Sequence, residues 1–257
     1  MFFLPLSDDN DTVYSAIIVW LIIGICTAVL IWQMSLPPRA ADQVTVAFGM
    51  IPARLFGDAR LPYALSAIPA WATIFTSMFM HGGWLHLIGN MWFFRIFGDN
   101  VEDSMGSGRF AVFYLLVGTA AAATQAAMNP HSHVPMVGAS GAIAGVMGAY
   151  LMLYPRANVR VLMIFFIIIR ILNVPAVLVL GIWFALQVIG AERAPADTGG
   201  VAFWAHVGGF LAGLVLLPIF KRDTVPLFGQ TRSRAFALSG PRTFRTGRIP
   251  DAGRRDR

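Results

Sequence analysis

The chain has 257 residues, of which 57% are apolar and only 12% are charged, and its formal net charge is +6. Soluble domains carry about 25% charged residues, so this composition excludes an ordinary soluble protein and indicates an integral, multi-pass membrane protein. The single cysteine, Cys26, lies inside the first apolar run, which excludes a disulfide framework and a thiolate metal cluster.

Six membrane spans are predicted after a short acidic leader at residues 1–13. The leader carries three aspartates and precedes a long apolar core, so it is not typical of a cleaved signal peptide. The apolar runs that approach the length of a bilayer crossing define the spans. They are residues 14–34, 83–98, 108–128, 139–154, 173–190 and 202–220. The sequence therefore predicts an all-α membrane protein, with a six-helix domain over residues 14–220.

Two connections between these spans are unusual. The first loop, residues 36–82, is long and proline-rich and contains Trp71. Loops of this length are usually functional or disordered, and its apolar, aromatic character predicts that it lies partly in the membrane. Residues 157–172 contain an apolar run of only nine residues between Arg160 and Arg170, which is too short to cross. We expect this segment at the membrane interface.

The positive charge is concentrated at the C-terminal end. Residues 221–257 hold Lys221 and nine arginines against three aspartates, which gives this tail +7 and the rest of the chain −1. The tail is rich in Gly, Ser and Arg, so we expect it to be disordered. Contact with anionic lipid on the cytoplasmic side is the interpretation we favour over binding of nucleic acid.

The distribution of basic residues also predicts the orientation. With six spans, fifteen Lys and Arg residues lie on the side of the two termini and four lie on the opposite side. Cytoplasmic loops carry the excess of positive charge. We therefore expect both termini in the cytoplasm, and a bacterial inner membrane as the location.

Polar side chains interrupt three of the spans at a similar depth. His86 and Asn90 lie four residues apart and share one face of the second span. Ser140 opens the fourth span and His206 lies near the start of the sixth. In the predicted orientation these three spans run from outside to inside, which places His86, Ser140 and His206 about 5–8 Å below the outer surface. Polar groups at such depth usually mark function or a satisfied interhelical bond.

Small residues indicate that the fourth and sixth spans touch. Gly141 and Gly145 form one small-xxx-small pair, and Gly209 and Gly213 form another. Such pairs allow helix backbones to approach closely. Gly209 and Gly213 follow His206 by three and seven residues and share its face, so close packing would bring His206 onto Ser140.

These residue types together suit nucleophilic catalysis. A serine hydroxyl becomes a nucleophile when a base such as histidine takes its proton. Ser140 at a helix N-terminus has free backbone N–H groups for a developing oxyanion, and His86 and Asn90 can add side-chain donors. The acidic residues of the second span lie at its other end. We therefore expect a Ser140–His206 dyad in which packing, rather than a carboxylate, orients the imidazole.

Three sequence blocks carry a family resemblance. HGGWLHLIGN at 81–90, GASG at 138–141 and AHVGG followed by Gly213 at 205–213 resemble the signature blocks of the rhomboid intramembrane serine proteases. The resemblance extends over about residues 14–220, in the same order and on the corresponding spans. His81 belongs to the first block and precedes His86 by five residues, so the two do not share one helix face. We expect His81 to be a structural hydrogen-bond donor that holds the loop in place. Gly138 begins the second block, and we expect it to have a supporting, structural role.

The resemblance implies both a fold and an activity. It implies six core helices, with residues 36–82 as a partly membrane-embedded hairpin. It implies Ser140 as nucleophile, His206 as general base and acid, and an oxyanion hole formed by His86, Asn90 and the Ser140 amide. It further implies cleavage of other proteins in or near a transmembrane segment, with no cofactor or metal.

Two positions depart from the family pattern. Ala72 follows Trp71, where members often carry a Trp-Arg pair, and Ala144 stands where some members place an aromatic residue on the catalytic ring. Neither position carries a reacting group, but Ala144 leaves the orientation of His206 to other neighbours.

Other classes fit the sequence less well. A non-proteolytic rhomboid-like protein that binds membrane helices is the main alternative, although such proteins lose the serine or the histidine. A zinc peptidase could use the five histidines, but the chain has no HExxH motif. A channel or transporter would need polar residues through the full depth of the membrane.

Overall fold

The computed structural model describes residues 2–165, 168–193 and 200–229, which form a mostly helical protein. The helices are α1 (Ile17–Ser35), α2 (Pro38–Phe48), α3 (Pro52–Leu55), α4 (Thr73–Ser77), α5 (Trp84–Met105), α6 (Ser107–Met128), α7 (Ser140–Leu153), α8 (Ala176–Arg193) and α9 (Phe203–Phe220). The strands are β1 (Phe2–Asp8), β2 (Asn158–Phe165) and β3 (Ile168–Pro175).

Each of the six predicted spans falls on one long helix, namely α1, α5, α6, α7, α8 or α9. Four of these helices, α1, α6, α8 and α9, are long and apolar enough to cross a membrane. α5 has 22 residues but carries four charged residues in its second half, and α7 has only 14 residues. At 1.5 Å per residue α7 is about 21 Å long, shorter than a hydrocarbon core of about 30 Å. The count of six crossings therefore stays a prediction.

α7 lies at the centre of the bundle. Every residue from Gly141 to Tyr150 is buried, and the helix contacts α5, α6, α8 and α9. Aromatic side chains fill the layers around it, with the ring of Phe97 5.0 Å from that of Tyr150. Because six of the 14 residues of α7 are Gly or Ala, neighbouring helices approach it on all sides, and Ser140 at its first position enters the interior of the bundle.

A three-stranded antiparallel sheet corrects the all-α prediction. β2 and β3 form a hairpin in which Val161 pairs with Leu172, and β1 adds to β2 with Leu4 opposite Leu162. The predicted interfacial segment 157–172 is therefore mainly strand, and its Val- and Ile-rich composition favours that conformation. The predicted leader supplies the third strand, and Trp92 of α5 donates from its indole Nε1 to the Pro5 carbonyl at 2.6 Å.

The carboxylate of Glu102 joins three helices. It accepts hydrogen bonds from the backbone N–H groups of Ile18 and Val19 at 3.0 and 2.9 Å, and from the hydroxyl of Ser107 at 2.6 Å. The first turn of a helix has N–H groups without intrahelical partners. Glu102, near the end of α5, satisfies two of those of α1 and also binds the start of α6, which sets the positions of these three helices.

The first loop contains three short helices held by polar contacts. The guanidinium of Arg54 is buried and donates to the carbonyl oxygens of Ala47 and Ile68. The backbone of Met50 exchanges two hydrogen bonds with that of Met136, just before α7. The loop is thus folded against the segment that precedes Ser140, while its insertion into a membrane stays a prediction.

The beginning of the predicted tail is held against the bundle. Arg222 N–H donates to the Ser104 carbonyl and Phe228 N–H donates to the Met152 carbonyl, both at 2.9 Å. The remaining tail, residues 230–257, lies outside the described residues.

The end of β1 carries a buried polar cluster. Tyr150 donates from its hydroxyl to Asp8 Oδ2 at 2.6 Å, and Asn100 donates to the same oxygen at 3.0 Å. Asn10 donates to the Tyr150 hydroxyl at 2.8 Å. Burial raises the pKa of Asp8 from its ordinary value of 3.8 to about 6, although the hydrogen bond from Tyr150 acts to lower this pKa. The leader is thus tied to α5 and α7 through a carboxyl group that is harder to ionise than an exposed one.

The cluster predicts a pH dependence of stability. Between pH 4 and 6 the folded protein holds more protons at Asp8 than the unfolded chain, so this residue's contribution to stability falls as pH rises through that window. Asp8→Asn removes this slope, and we expect the variant to gain thermal stability over wild type at pH 8 but not at pH 4. Thermal unfolding in detergent micelles measures the difference. Asp11→Asn, at an exposed position, is the matched control, and an equal pH response in both variants would contradict the assignment.

Candidate active site

Ser140 and His206 meet at the starts of two helices. Ser140 is the first residue of α7 and His206 lies in the first turn of α9. The distance from Ser140 Oγ to His206 Nε2 is 2.7 Å, which is a hydrogen bond. His206 is buried, with 8% of its surface exposed. The structure therefore brings together the hydroxyl and the imidazole that the sequence analysis selected, although they lie 66 residues apart.

Glycines at the α7–α9 interface make this contact possible. A Cβ atom at Gly209 would meet the Gly141 carbonyl oxygen, and one at Gly213 would meet the Gly145 carbonyl oxygen, in both cases closer than real Cβ atoms approach. The two backbones are therefore in direct contact along two turns. This contact fixes the register of α9 against α7, and with it the position of His206 beside Ser140.

Gly138 leaves room for the two other predicted polar residues. Its φ of +126° lies in the region that favours glycine. A Cβ atom at this position would be 2.9 Å from the His86 ring and 3.6 Å from Asn90 Nδ2. Any larger residue would therefore displace His86 and strain the turn that leads into Ser140.

The hydrogen bonds of His86 define its tautomer. Its Nδ1 accepts from the backbone N–H of Gly82 at 3.3 Å, so the neutral ring carries its proton on Nε2. Asn90 Nδ2 is buried and has no hydrogen-bond partner among the described residues. Both side chains line one cavity of about 500 Å³ together with Ser140 and His206. Two N–H donors, on His86 Nε2 and Asn90 Nδ2, thus belong to side chains that line the same cavity as Ser140.

His206 makes a second polar contact, which was not predicted from the sequence. Gln187 of α8 lies with its Oε1 atom 2.7 Å from His206 Nδ1. An amide oxygen can only accept, so Nδ1 carries the proton and Nε2 accepts from the Ser140 hydroxyl. In the sequence, Gln187 is marked only as an amide within a predominantly apolar predicted span. Trp183, one turn earlier on α8, lies with its ring centroid 5.7 Å from that of His206.

His81 behaves differently from its predicted role. Its side chain is buried, and neither ring nitrogen has a hydrogen-bond partner among the residues described. The backbone N–H of His81, rather than its ring, donates to Gln33 Oε1 at 3.3 Å and so holds the end of the first loop against α1. The ring packs edge-on against His86 with 5.2 Å between centroids.

The remaining histidines are dispersed. His131 lies at the surface with its Nδ1 atom 2.9 Å from Asp58 Oδ2, and His133 is exposed. Within residues 2–165, 168–193 and 200–229, no three His, Cys, Asp or Glu side chains form a group that could hold a metal ion.

The protein belongs to the rhomboid family, because a family model described as the Rhomboid domain matches residues 69–223, more than half of the chain. This match covers α5 to α9 and all of the residues that line the cavity on those helices. Together with the four apolar helices, it makes the chain an integral membrane protein.

Individual relatives differ in their stated activity. "Rhomboid-like protein 11, chloroplastic" of Arabidopsis thaliana is 29% identical over 62% of this chain and 56% of its own length. "Rhomboid protease GluP" of Bacillus subtilis is 32% identical over 68% of this chain and 31% of its own length. "Inactive rhomboid protein 1" of Drosophila melanogaster is 35% identical over 31% of this chain and 6% of its own length. The chain thus spans about half or less of these relatives.

The glycine contact predicts the effect of added methyl groups. Gly209→Ala or Gly213→Ala forces α9 away from α7, and we expect each to lower the free energy of unfolding by about 3 kcal/mol and to separate His206 from Ser140. Thermal unfolding in detergent measures the first effect, and the rate of fluorophosphonate labelling measures the second. Gly24→Ala is the control, since a Cβ atom there has no neighbour within 4 Å. Equal stability of all three variants would contradict the proposed close contact.

Proposed function

We propose that the protein is an intramembrane serine endopeptidase that cleaves other membrane proteins in or near their transmembrane helices. The 2.7 Å hydrogen bond between Ser140 Oγ and His206 Nε2 is the observation that carries the proposal. Membership of the rhomboid family, and similarity to a relative named as a protease, support the same reaction class.

The reaction begins with attack of Ser140 Oγ on the carbonyl carbon of the scissile peptide bond. His206 Nε2 takes the hydroxyl proton as the C–O bond forms, and the carbonyl oxygen becomes an oxyanion. The imidazolium then gives this proton to the leaving amine as the C–N bond breaks. Water enters next and loses a proton to His206, and its attack releases the acyl group and restores the Ser140 hydroxyl.

The oxyanion is stabilised by donors that already face the cavity. We assign this role to His86 Nε2–H, Asn90 Nδ2–H and the backbone N–H of Ser140. The Ser140 amide belongs to the first turn of α7, whose N–H groups have no intrahelical acceptor. Asn90 Nδ2 is buried and has no hydrogen-bond partner within the described part of the chain, which supports this assignment, because such a donor gains a partner only when an acceptor enters.

The membrane topology is part of the proposal. We propose six crossings, a first loop (residues 36–82) that lies partly in the membrane, and both termini in the cytoplasm, on the basis of the asymmetry of positive charge. A bacterial inner membrane remains our proposed location, although two plant relatives are named chloroplastic and mitochondrial. Substrates would be membrane proteins with a transmembrane segment.

A rhomboid-like protein without protease activity is the alternative. One relative is named as inactive, so the family alone does not decide between the two functions. The hydrogen-bonded Ser140–His206 pair favours the protease, since a pure binding protein would not need this pair.

Substitution of the proposed nucleophile tests the function directly. We expect Ser140→Ala to abolish cleavage of single-span model substrates while thermal stability stays near that of wild type, because only one partly exposed oxygen is removed. Fragment analysis after incubation with pure protein measures cleavage. His206→Ala should likewise abolish labelling of Ser140 by a fluorophosphonate. Undiminished cleavage by pure Ser140→Ala would rule out the proposed function.

Asn90 provides a separate test of the oxyanion hole. An interaction made mainly in the transition state affects kcat more than KM, so we expect Asn90→Ala to lower kcat by about 100-fold with KM within about threefold. Steady-state kinetics with a soluble fluorogenic peptide provide both constants. A rise in KM alone would assign Asn90 to substrate binding instead.

A further inference from the structure

α8 presents two side chains to the ring of His206. Gln187 Oε1 lies 2.7 Å from His206 Nδ1, on the side of the ring away from Ser140. The indole of Trp183 lies beside the same ring, with 5.7 Å between centroids and 38° between planes. Both residues belong to the helix that precedes α9, and neither lies in the three sequence blocks that carry the family resemblance.

We infer that Gln187 and Trp183 are positioning residues that hold the His206 imidazole in the tautomer and orientation required by the proposed Ser140–His206 dyad. The inference rests on the proposed function. It assigns to α8 the task of orienting His206, which Ala144 cannot perform because it stands in place of an aromatic residue. Ala144 is completely buried in the centre of the bundle.

The orientation of the Gln187 amide is itself determined by the structure. Its Nε2 atom donates to the carbonyl of Trp183, four residues earlier, at 3.4 Å. The donor end of the amide is therefore directed along α8, and the acceptor end faces His206. A fixed acceptor at Nδ1 keeps the proton on that nitrogen and leaves the Nε2 lone pair for the Ser140 hydroxyl.

Trp183 restricts the remaining freedom of the ring. The hydrogen bonds at the two ring nitrogens fix a line through the imidazole. The ring can still rotate about that line unless a neighbour contacts its face. Trp183 supplies such a contact, while Phe203 approaches edge-on at 6.5 Å. The aromatic ring of α8 thus limits tilting of the imidazole away from Ser140.

Two substitutions separate the hydrogen-bond acceptor of the Gln187 side chain from its volume. Gln187→Glu keeps an oxygen acceptor at nearly the same place and adds a charge, whereas Gln187→Met keeps the volume and removes the acceptor. Leu186→Met, at an adjacent position that is 57% exposed, is the control for substitutions in α8. Among the residues that the structure describes, the other titratable side chain that lines this cavity is His86 of α5, and it is unchanged in all three variants.

We expect Gln187→Met to lower kcat and the rate of fluorophosphonate labelling roughly 10- to 100-fold, with KM within about twofold. Gln187→Glu should retain most of kcat and move the acidic limb of the pH–rate profile to higher pH, because a carboxylate stabilises the imidazolium. Trp183→Ala should lower kcat more than Trp183→Phe does. Rates for Gln187→Met within twofold of wild type would overturn the inference, as would equal losses in the Met and Glu variants.

A spectroscopic readout separates this inference from the proposed function. ¹⁵N NMR of histidine-labelled protein in micelles reports which ring nitrogen of His206 carries the proton, whether or not the protein is active. We expect a single tautomer with the proton on Nδ1 in wild type and a mixture in Gln187→Met. An unchanged spectrum in Gln187→Met would overturn the inference alone, whereas loss of labelling and cleavage in wild type with the expected spectra would overturn the proposed function.

Discussion

Direct contact between the backbones of α7 and α9 determines the geometry of the candidate site. Lipid tails are as apolar as the side chains they surround, so helices in a membrane associate mainly through close packing and interhelical hydrogen bonds. Gly141 and Gly145 on one helix and Gly209 and Gly213 on the other remove the side chains that would otherwise separate the axes. A serine and a histidine at the starts of these helices can then share a hydrogen bond, without a loop to position either of them.

The polar groups around Ser140 and His206 are neutral, which is consistent with their position inside the helix bundle. Moving an ionised carboxylate into a medium of low dielectric constant costs more than moving a neutral amide. Gln187 accepts from His206 Nδ1 without adding a permanent charge, and Asn90 offers a neutral donor on the other side of the cavity. In the proposed reaction, charge would arise on the imidazolium and the oxyanion, and these fixed dipoles already face both sites.

The sequence predicted the helices and the contact between Ser140 and His206 because both leave a periodic or positional signal. Apolar runs defined all six long helices, and a shared depth linked Ser140 to His206. The sheet lacked such a signal, since β1 and β2 lie more than 150 residues apart and the aspartates of the leader obscure the apolar segment before them. Gln187 was missed because a single amide on a helix forms no pattern, and the partner that gives it meaning belongs to another helix.

The candidate site combines two well-buried helices, α7 and α9, with a more exposed helix, α8. Ser140 and His206 lie on α7 and α9, whose facing residues are buried over several turns, whereas α8 buries only Ala176, Leu180 and Ala191 among its described side chains. Gln187 and Trp183, which contact the imidazole from outside the dyad, both lie on this exposed helix. A displacement of α8 of only 1 Å would break the hydrogen bond from His206 Nδ1 to Gln187 Oε1, while the Ser140–His206 distance, set by glycine contacts, stayed unchanged. Proximity of the dyad and orientation of its base therefore depend on different helices.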